Sequence, residues 1–188
     1  DVLRVDNQKL TPMVTVAFTR WLRRQMAENV PYDRFVSQIV TVRGTTTTET
    51  PAAVYTVLKT PEELARSISQ LFLGVRIECA QCHHHPFEKW AQRDYFALAG
   101  MFTGVKRGKS PGGGQKITDV AGADLKHPRT GQSVPAAGLG SDPVELADPT
   151  GRRQALSDWM TAPTNPFLAR TIANRLWAHY FGRGLVEP

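Results

Sequence analysis

The sequence predicts a mainly α-helical fold that is interrupted by one long irregular segment. Apolar residues recur at intervals of three and four in several stretches, which is typical of amphipathic helices. From 104 to 149 Gly and Pro become frequent and large apolar residues become rare. With 188 residues, 41% of them hydrophobic, the chain can bury a core. We expect a helical region at 1–103, an irregular insertion at 104–149, and a C-terminal helical segment at 150–188 that packs on the first region.

Two helices are predicted near the start of the chain. The first covers 12–28, with Pro12 in its first turn, and its apolar positions are Met13, Val16, Ala17, Trp21, Leu22 and Met26. The second covers 32–40, with Phe35, Val36 and Ile39 on one face. The Thr-rich stretch 44–51 is predicted to be a connector, and 54–58 to be a short strand or an extended lead-in.

The clearest helix start is the run Thr60-Pro61-Glu62-Glu63. Thr60 can cap the helix, Pro61 suits the first helical position, and Glu63 completes a capping box. The apolar stripe that follows predicts a helix that continues to about Ile77 and leads directly to Cys79. A further helix is expected at 94–102.

The remaining segments are predicted to contain a small hairpin and two helices. The hairpin is expected around Ile117 and Val134, inside the insertion. One helix covers 151–160. The other begins at Asn165-Pro166, a cap followed by a first helical position, and ends at Gly182.

The two cysteines of the chain lie three positions apart, in the run Cys79-Ala80-Gln81-Cys82-His83. Cysteines this close cannot staple a fold, so their spacing indicates metal, redox or haem chemistry. C-x-x-C-H is the attachment pattern of c-type haem, in which two thiols add to the vinyl groups at one porphyrin edge and the next His ligates the iron. The sequence therefore predicts one covalent haem c on Cys79 and Cys82, with His83 as an axial ligand.

Other chemistries stay open for the same motif. A zinc site would draw its ligands from Cys79, Cys82 and the run His83-His84-His85. A redox-active pair of thiols and an inert structural pair of cysteines are the remaining alternatives. Further candidates for contact with the cofactor follow the motif directly: His85, Phe87 and Trp90.

The second axial ligand of a haem at this motif must come from elsewhere or be absent. His179, in the last predicted helix, is the preferred candidate. Met101, on the predicted helix 94–102, and His127, in the insertion, are alternatives, since Met and His are both common axial ligands. Met13 is a further possibility, and an open coordination position is the last.

Charge and hydropathy limit the classes of partner. The net charge is +6, but the basic residues are scattered and accompany no nucleic-acid-binding motif. A basic surface can also steer an acidic redox partner. No apolar run is long enough to span a bilayer, so no membrane span is predicted.

Several blocks resemble one protein family. They are Leu3-Arg4-Val5-Asp6, Pro31 to Val36, Glu62 to Arg76, and the motif with its continuation His84-His85-Pro86-Phe87-Glu88-Lys89-Trp90. Together they resemble the planctomycete cytochrome-associated domain of unknown function. The tail from Arg153 onward, with Asn165-Pro166-Phe167 and Asn174-Arg175-Leu176-Trp177, is similar to the start of its usual partner domain. The resemblance leaves out about 106–148 and implies part of a longer, exported polypeptide.

Motif and resemblance together imply an irregular helical, c-type cytochrome-like domain with a long Gly/Pro-rich insertion. The function they predict is electron transfer by a periplasmic or extracellular cytochrome that meets redox partner proteins. One alternative is a haem or metal enzyme with an open coordination site. Another is a subunit of an extracellular haem-containing assembly, either a homo-oligomer or a larger complex.

Overall fold

The computed structural model describes residues 10–84, 88–111 and 113–186, and about half of them are helical. The helices are α1 (Pro12–Ala27), α2 (Tyr32–Thr41), α3 (Ala53–Val57), α4 (Pro61–Ile68), α5 (Gln92–Gly100), α6 (Arg152–Thr161) and α7 (Leu168–Phe181). The strands are β1 (Gly44–Thr45), β2 (Val105–Lys109), β3 (Gln115–Asp119), β4 (Leu125–Lys126) and β5 (Ser133–Val134). No helix in the described part of the chain is long and apolar enough to cross a lipid bilayer.

Helices α1 and α2 form where the sequence predicts them, but α1 buries a different face. Thr11 caps α1, and its side chain accepts a hydrogen bond from the backbone N–H of Val14. Val14, Phe18 and Trp21 point into the core, whereas Met13, Val16 and Met26 are exposed. The Trp21 ring stacks on Phe35 of α2 at 5.4 Å between centroids, which holds the two helices together.

The strand or extended segment expected at 54–58 is wrong, because this stretch is helix α3. A 3₁₀ turn, Thr50–Ala52, leads into it. Val54 and Tyr55 are both buried, and the Tyr55 hydroxyl donates to the Val40 carbonyl at 2.6 Å. Two adjacent buried side chains fit a helix that is enclosed by the core, and they do not fit the alternating faces of a half-exposed strand.

The helix predicted from Thr60 begins correctly and ends early. The capping box is present: Glu63 N–H donates to Thr60 Oγ1 at 3.1 Å, and Thr60 N–H donates to the Glu63 carboxylate at 3.2 Å. Helix α4 ends at Ile68, widens into a π turn over Ser69–Leu73, and stops at Gly74, whose φ is +71°. The helix therefore stops before it reaches Cys79, and it stops on the left-handed conformation that Gly adopts readily.

The segment predicted to be irregular, 104–149, contains four of the five described strands. Strands β2 and β3 form an antiparallel hairpin, and β1 adds to the other side of β3, so the sheet order is β1-β3-β2. The pair β4-β5 is a separate sheet. Ile117 lies in β3 and Val134 in β5, so the two residues expected in one hairpin belong to two different strand pairs. Both side chains are buried.

Helix α6 packs on α2, which places the C-terminal segment against the first region. Ser157 of α6 hydrogen-bonds Ser37 of α2 at 2.9 Å between the hydroxyl oxygens. Helix α7 makes fewer contacts: Leu168 is its one buried residue, and the Arg175 guanidinium donates to the Gln70 carbonyl at 2.7 Å. Gly182, with φ +76°, ends α7 as predicted.

Candidate functional site

The cysteine motif lies on a short 3₁₀ turn, Ile77–Gln81, that continues into Cys82 and His83. Ile77 and Ala80 are buried beneath the turn, whereas Cys79, Cys82 and His83 are exposed. Cys82 N–H donates to the Cys79 carbonyl at 3.4 Å, and both cysteines are free thiols. The turn is thus anchored by two apolar side chains, and it presents both sulfurs and the imidazole on its outer side.

The contact that Nδ1 of His83 makes assigns the tautomer of its imidazole. Its Nδ1 lies 2.6 Å from the His84 carbonyl oxygen. A carbonyl can only accept a hydrogen bond, so Nδ1 must carry a proton and donate it. In the neutral ring Nε2 then keeps its lone pair, and it is the nitrogen available to bind a metal ion.

Gln92, at the start of α5, holds the motif turn from behind. Its side-chain amide donates to the Gln81 carbonyl at 2.9 Å, and the residue is buried. The N-terminus of α5 is itself fixed by Asp94, whose carboxylate accepts from Ala91 N–H at 2.8 Å. The sequence analysis missed Gln92, because a lone Gln eleven residues after Gln81 gives no signal of contact before the fold is known.

Of the three further candidates for contact with the cofactor, His85, Phe87 and Trp90, the structure describes Trp90, whereas His85 and Phe87 lie outside the described residues. Trp90 is buried, its ring packs against Phe167 at 6.1 Å between centroids, and its Nε1–H donates to Glu88 at 2.6 Å. Lys89 Nζ lies 5.0 Å from the centre of the same ring. Trp90 therefore links the chain after the motif to the segment just before α7.

Tyr95 lies behind the motif and is buried completely, yet its hydroxyl has no hydrogen-bond partner among the described residues. Burial raises the pKa of Tyr95 to about 12. Arg66 acts against that shift, and Glu62, Glu78 and Cys82 act with it. Arg66 and Glu78 form an ion pair at 2.7 Å beside the turn. The hydroxyl thus stays protonated at neutral pH and remains a potential donor.

The candidates for a second axial ligand lie in different environments. Met101, at the end of α5, is completely buried in the main core. His127 is half-buried in the turn between β4 and β5, where its Nδ1 accepts from Arg129 N–H at 3.3 Å. His179, on α7, is exposed and packs edge-on against Tyr180 at 5.2 Å between centroids. Met13 is exposed on α1.

No three His, Cys, Asp or Glu side chains converge to a metal-binding group within 10–84, 88–111 and 113–186. This statement covers Cys79, Cys82, His83 and His84, but His85 lies outside those ranges. The zinc alternative therefore remains a hypothesis that involves a residue outside the described part of the chain.

Two family models match the chain. The first, PSCyt2, described as a protein of unknown function (DUF1549), matches residues 2–107. The second, PSD1, also described as a protein of unknown function (DUF1553), matches residues 152–188. In this order the two models fit the resemblance to a planctomycete cytochrome-associated domain followed by its partner domain. Residues 108–151 are matched by neither model, close to the stretch 106–148 that the resemblance leaves out. No curated protein and no solved structure matches the chain.

Proposed function

The chain belongs to the PSCyt2 family of proteins of unknown function, and from that premise we propose that it transfers electrons through one c-type haem bonded to Cys79 and Cys82. The observation that carries the proposal is the state of His83. Its Nδ1 proton is committed to the His84 carbonyl, so Nε2 can ligate iron directly beside the two exposed thiols.

The other residues of the site have supporting roles in this proposal. Cys79 and Cys82 would hold the haem by thioether bonds, while Gln92 keeps the turn in place through the Gln81 carbonyl. Ile77 and Ala80 anchor the turn in the core. A bound haem supplies an iron centre that changes reversibly by one electron, while the protein sets its potential and access.

His179 is the proposed second axial ligand. His127 already uses the lone pair of its Nδ1 to accept a hydrogen bond from Arg129 N–H, so its proton resides on Nε2. Nε2 therefore cannot ligate iron without a change of tautomer. Met101 is enclosed in the core, where a Met side chain also serves to fill space. His179 is exposed on α7, and neither ring nitrogen is hydrogen-bonded within the described chain.

Compartment and partner follow from the same chemistry. Thioether attachment of haem is carried out in an exported, oxidising compartment, so the proposal implies a periplasmic or extracellular protein. The net charge of +6 fits an encounter with an acidic redox partner.

The test is the intact mass and the pyridine haemochrome spectrum of the chain produced with a c-type haem attachment system. We expect a mass increase of one haem in the parent chain, and none in the Cys79→Ser/Cys82→Ser variant. Val16→Ser, a change at an exposed position of α1, is the matched control and keeps the haem. A parent chain that gains only zinc, or nothing, would overturn the proposal.

A second candidate function, a subunit of an extracellular assembly, is favoured by the outer face of α7. Its C-terminal half exposes four large apolar side chains, Leu176, Trp177, Tyr180 and Phe181. Exposed apolar patches of this kind mark protein contacts more often than single exposed residues do. Such a subunit would still carry the haem, so this candidate concerns how copies of the chain are arranged.

Sedimentation velocity tests that candidate. We expect self-association of the parent chain that is lost in Trp177→Ser/Tyr180→Ser. It should persist in Met13→Ser/Met26→Ser, which removes two exposed apolar side chains from α1. A parent chain that stays monomeric at high concentration would exclude self-association through α7.

A further inference from the structure

A surface cleft of about 250 Å³ is lined by the insertion and the start of α6. Its apolar lining includes Val144, Leu146 and Pro149. Asp124 and Arg152 also line it, and they form an ion pair at 2.8 Å, so together they add no net charge. An apolar cavity of about 150 Å³ holds one benzene molecule. The cleft therefore has room for one aromatic side chain.

The rim of this cleft is acidic. From 130 to 151 the chain has three acidic residues, Asp142, Glu145 and Asp148, and no Lys, Arg or His. All three are exposed, and they are interleaved with residues that line the cleft. The positive charge of Arg43 acts on Asp148, but Arg43 already binds Asp119 at 2.7 Å. We call the lining residues and these three exposed carboxylates the acidic cleft.

The outer face of α7 has the opposite charge and also carries aromatic rings. From 168 to 186 the chain has Arg170, Arg175 and Arg183 and no acidic residue. Arg170, Trp177 and Phe181 are spaced by seven and four positions, so they share one face of the helix. The rings of Trp177 and Phe181 lie 4.3 Å apart between centroids, and the two residues are 42% and 66% exposed. This face therefore presents two aromatic rings together with positive charge.

Resting on self-association through α7, the second candidate function, we propose that the outer face of α7 in one copy docks in the acidic cleft of the next copy. An aromatic ring of α7 fills the apolar interior, and Arg170 and Arg183 meet the carboxylates of the rim. Pairing of α7 with α7 would instead bring the Arg side chains of two copies together, and like charges disfavour such a contact. Because the two faces differ, each contact leaves one α7 and one cleft free, and the copies form an open chain.

The first test is sedimentation velocity on two variants that each alter one face. Trp177→Ser/Tyr180→Ser changes α7 and leaves the cleft intact. Asp142→Lys/Glu145→Lys, the rim variant, reverses two exposed charges of the cleft and leaves α7 intact. Each variant alone should associate at least about tenfold more weakly than the parent chain, because each lacks one half of the contact. Circular dichroism verifies that both variants are folded.

The matched control for the rim variant is Glu28→Lys/Asp33→Lys. It makes the same change in net charge at two exposed positions, one directly after α1 and one in the first turn of α2. It should associate like the parent chain, because neither position belongs to the acidic cleft or to α7.

A 1:1 mixture of the two single-face variants is the decisive measurement. The intact α7 of the rim variant can still enter the intact cleft of the α7 variant, but no further pair of matching faces remains. The mixture should therefore form dimers and nothing larger. A rim variant that associates like the parent chain, or a mixture that stays monomeric, would overturn docking in the cleft while self-association through α7 stands. A monomeric parent chain would instead overturn that self-association.

Discussion

Arg153 of α6 and Asp119 of β3 form a buried two-point ion pair. Arg153 Nε lies 2.7 Å from Asp119 Oδ1, and Nη2 lies 2.9 Å from Oδ2; the two side chains are 2% and 4% exposed. Arg153 Nη1 also donates to the Val40 carbonyl at 3.0 Å. Val40 lies in the stretch matched by PSCyt2, Arg153 in that matched by PSD1, and Asp119 between them. The guanidinium of Arg153 therefore connects all three segments through its ion pair and its hydrogen bond.

Asp119→Asn should destabilise the protein by about 3 kcal/mol, because removal of one member of a buried ion pair leaves the other charge uncompensated. Urea unfolding followed by circular dichroism measures the loss. Arg43→Gln is the matched control: Arg43 binds the same carboxylate at 2.7 Å, but its side chain is 58% exposed. An exposed pair contributes about 1 kcal/mol or less. Equal losses for both variants would contradict the special role of the buried pair.

Local signals in the sequence predict some elements well and others poorly. The run from Thr60 to Glu63 fixes the start of α4, because all the groups of a capping box lie within four residues. The end of α4 is not predictable in the same way. Leu71, Phe72 and Val75 continue the apolar stripe and are buried as expected, but Leu71 and Phe72 lie in a π turn and Val75 follows the end of the helix at Gly74. The pairing of β1 with β3 joins residues more than seventy positions apart, and short strands give no local signal of such pairing.

The candidate site also combines residues that the sequence predicts with contacts that it does not predict. Cys79, Cys82 and His83 are evident from spacing alone. The tautomer of His83 depends on the His84 carbonyl, and the support from Gln92 depends on how α5 packs. Such contacts arise from tertiary structure, which a single sequence does not display.

Gly74→Ala should destabilise the protein by about 2–5 kcal/mol. The residue has φ +71°, and a Cβ placed there would lie 2.7 Å from Thr171 Oγ1 of α7. Left-handed strain costs about 1–2 kcal/mol for a non-Gly residue, and overpacking adds about 1–3 kcal/mol. Thermal unfolding measures the change. Gly182→Ala is the control, with φ +76° but no atom within 4 Å of the added Cβ, so it should show the strain alone.

The capping box at Glu63 predicts a pH-dependent contribution to stability. Partial burial raises the pKa of Glu63, but the N–H donors of Lys59 and Thr60 outweigh it, and the pKa lies below its usual value of 4.5. A lowered pKa means that the contribution is complete above pH 4.5 and is lost as the pH falls through the folded-state pKa. Glu63→Ala should therefore cost about 1 kcal/mol at pH 7 and progressively less towards pH 3.

Urea unfolding at pH 7, 5 and 3 checks this dependence. Glu62→Ala is the control, since Glu62 lies in the same first turn of α4 but does not complete the capping box. A cost for Glu63→Ala that is the same at pH 3 and pH 7 would show that the carboxylate charge is irrelevant to the cap.

His179→Ala should convert a six-coordinate, low-spin haem into a five-coordinate, high-spin one, because it removes the proposed second axial ligand. The absorption spectrum of the haem-loaded chain, recorded with and without carbon monoxide after reduction, reports the change. His127→Ala is the control: its Nδ1 is held by Arg129 N–H within a turn, so its loss should leave the spectrum low-spin. A low-spin spectrum that survives His179→Ala would remove His179 as a ligand. A parent chain that already binds carbon monoxide rapidly would indicate an open coordination position, and with it catalysis in place of electron transfer.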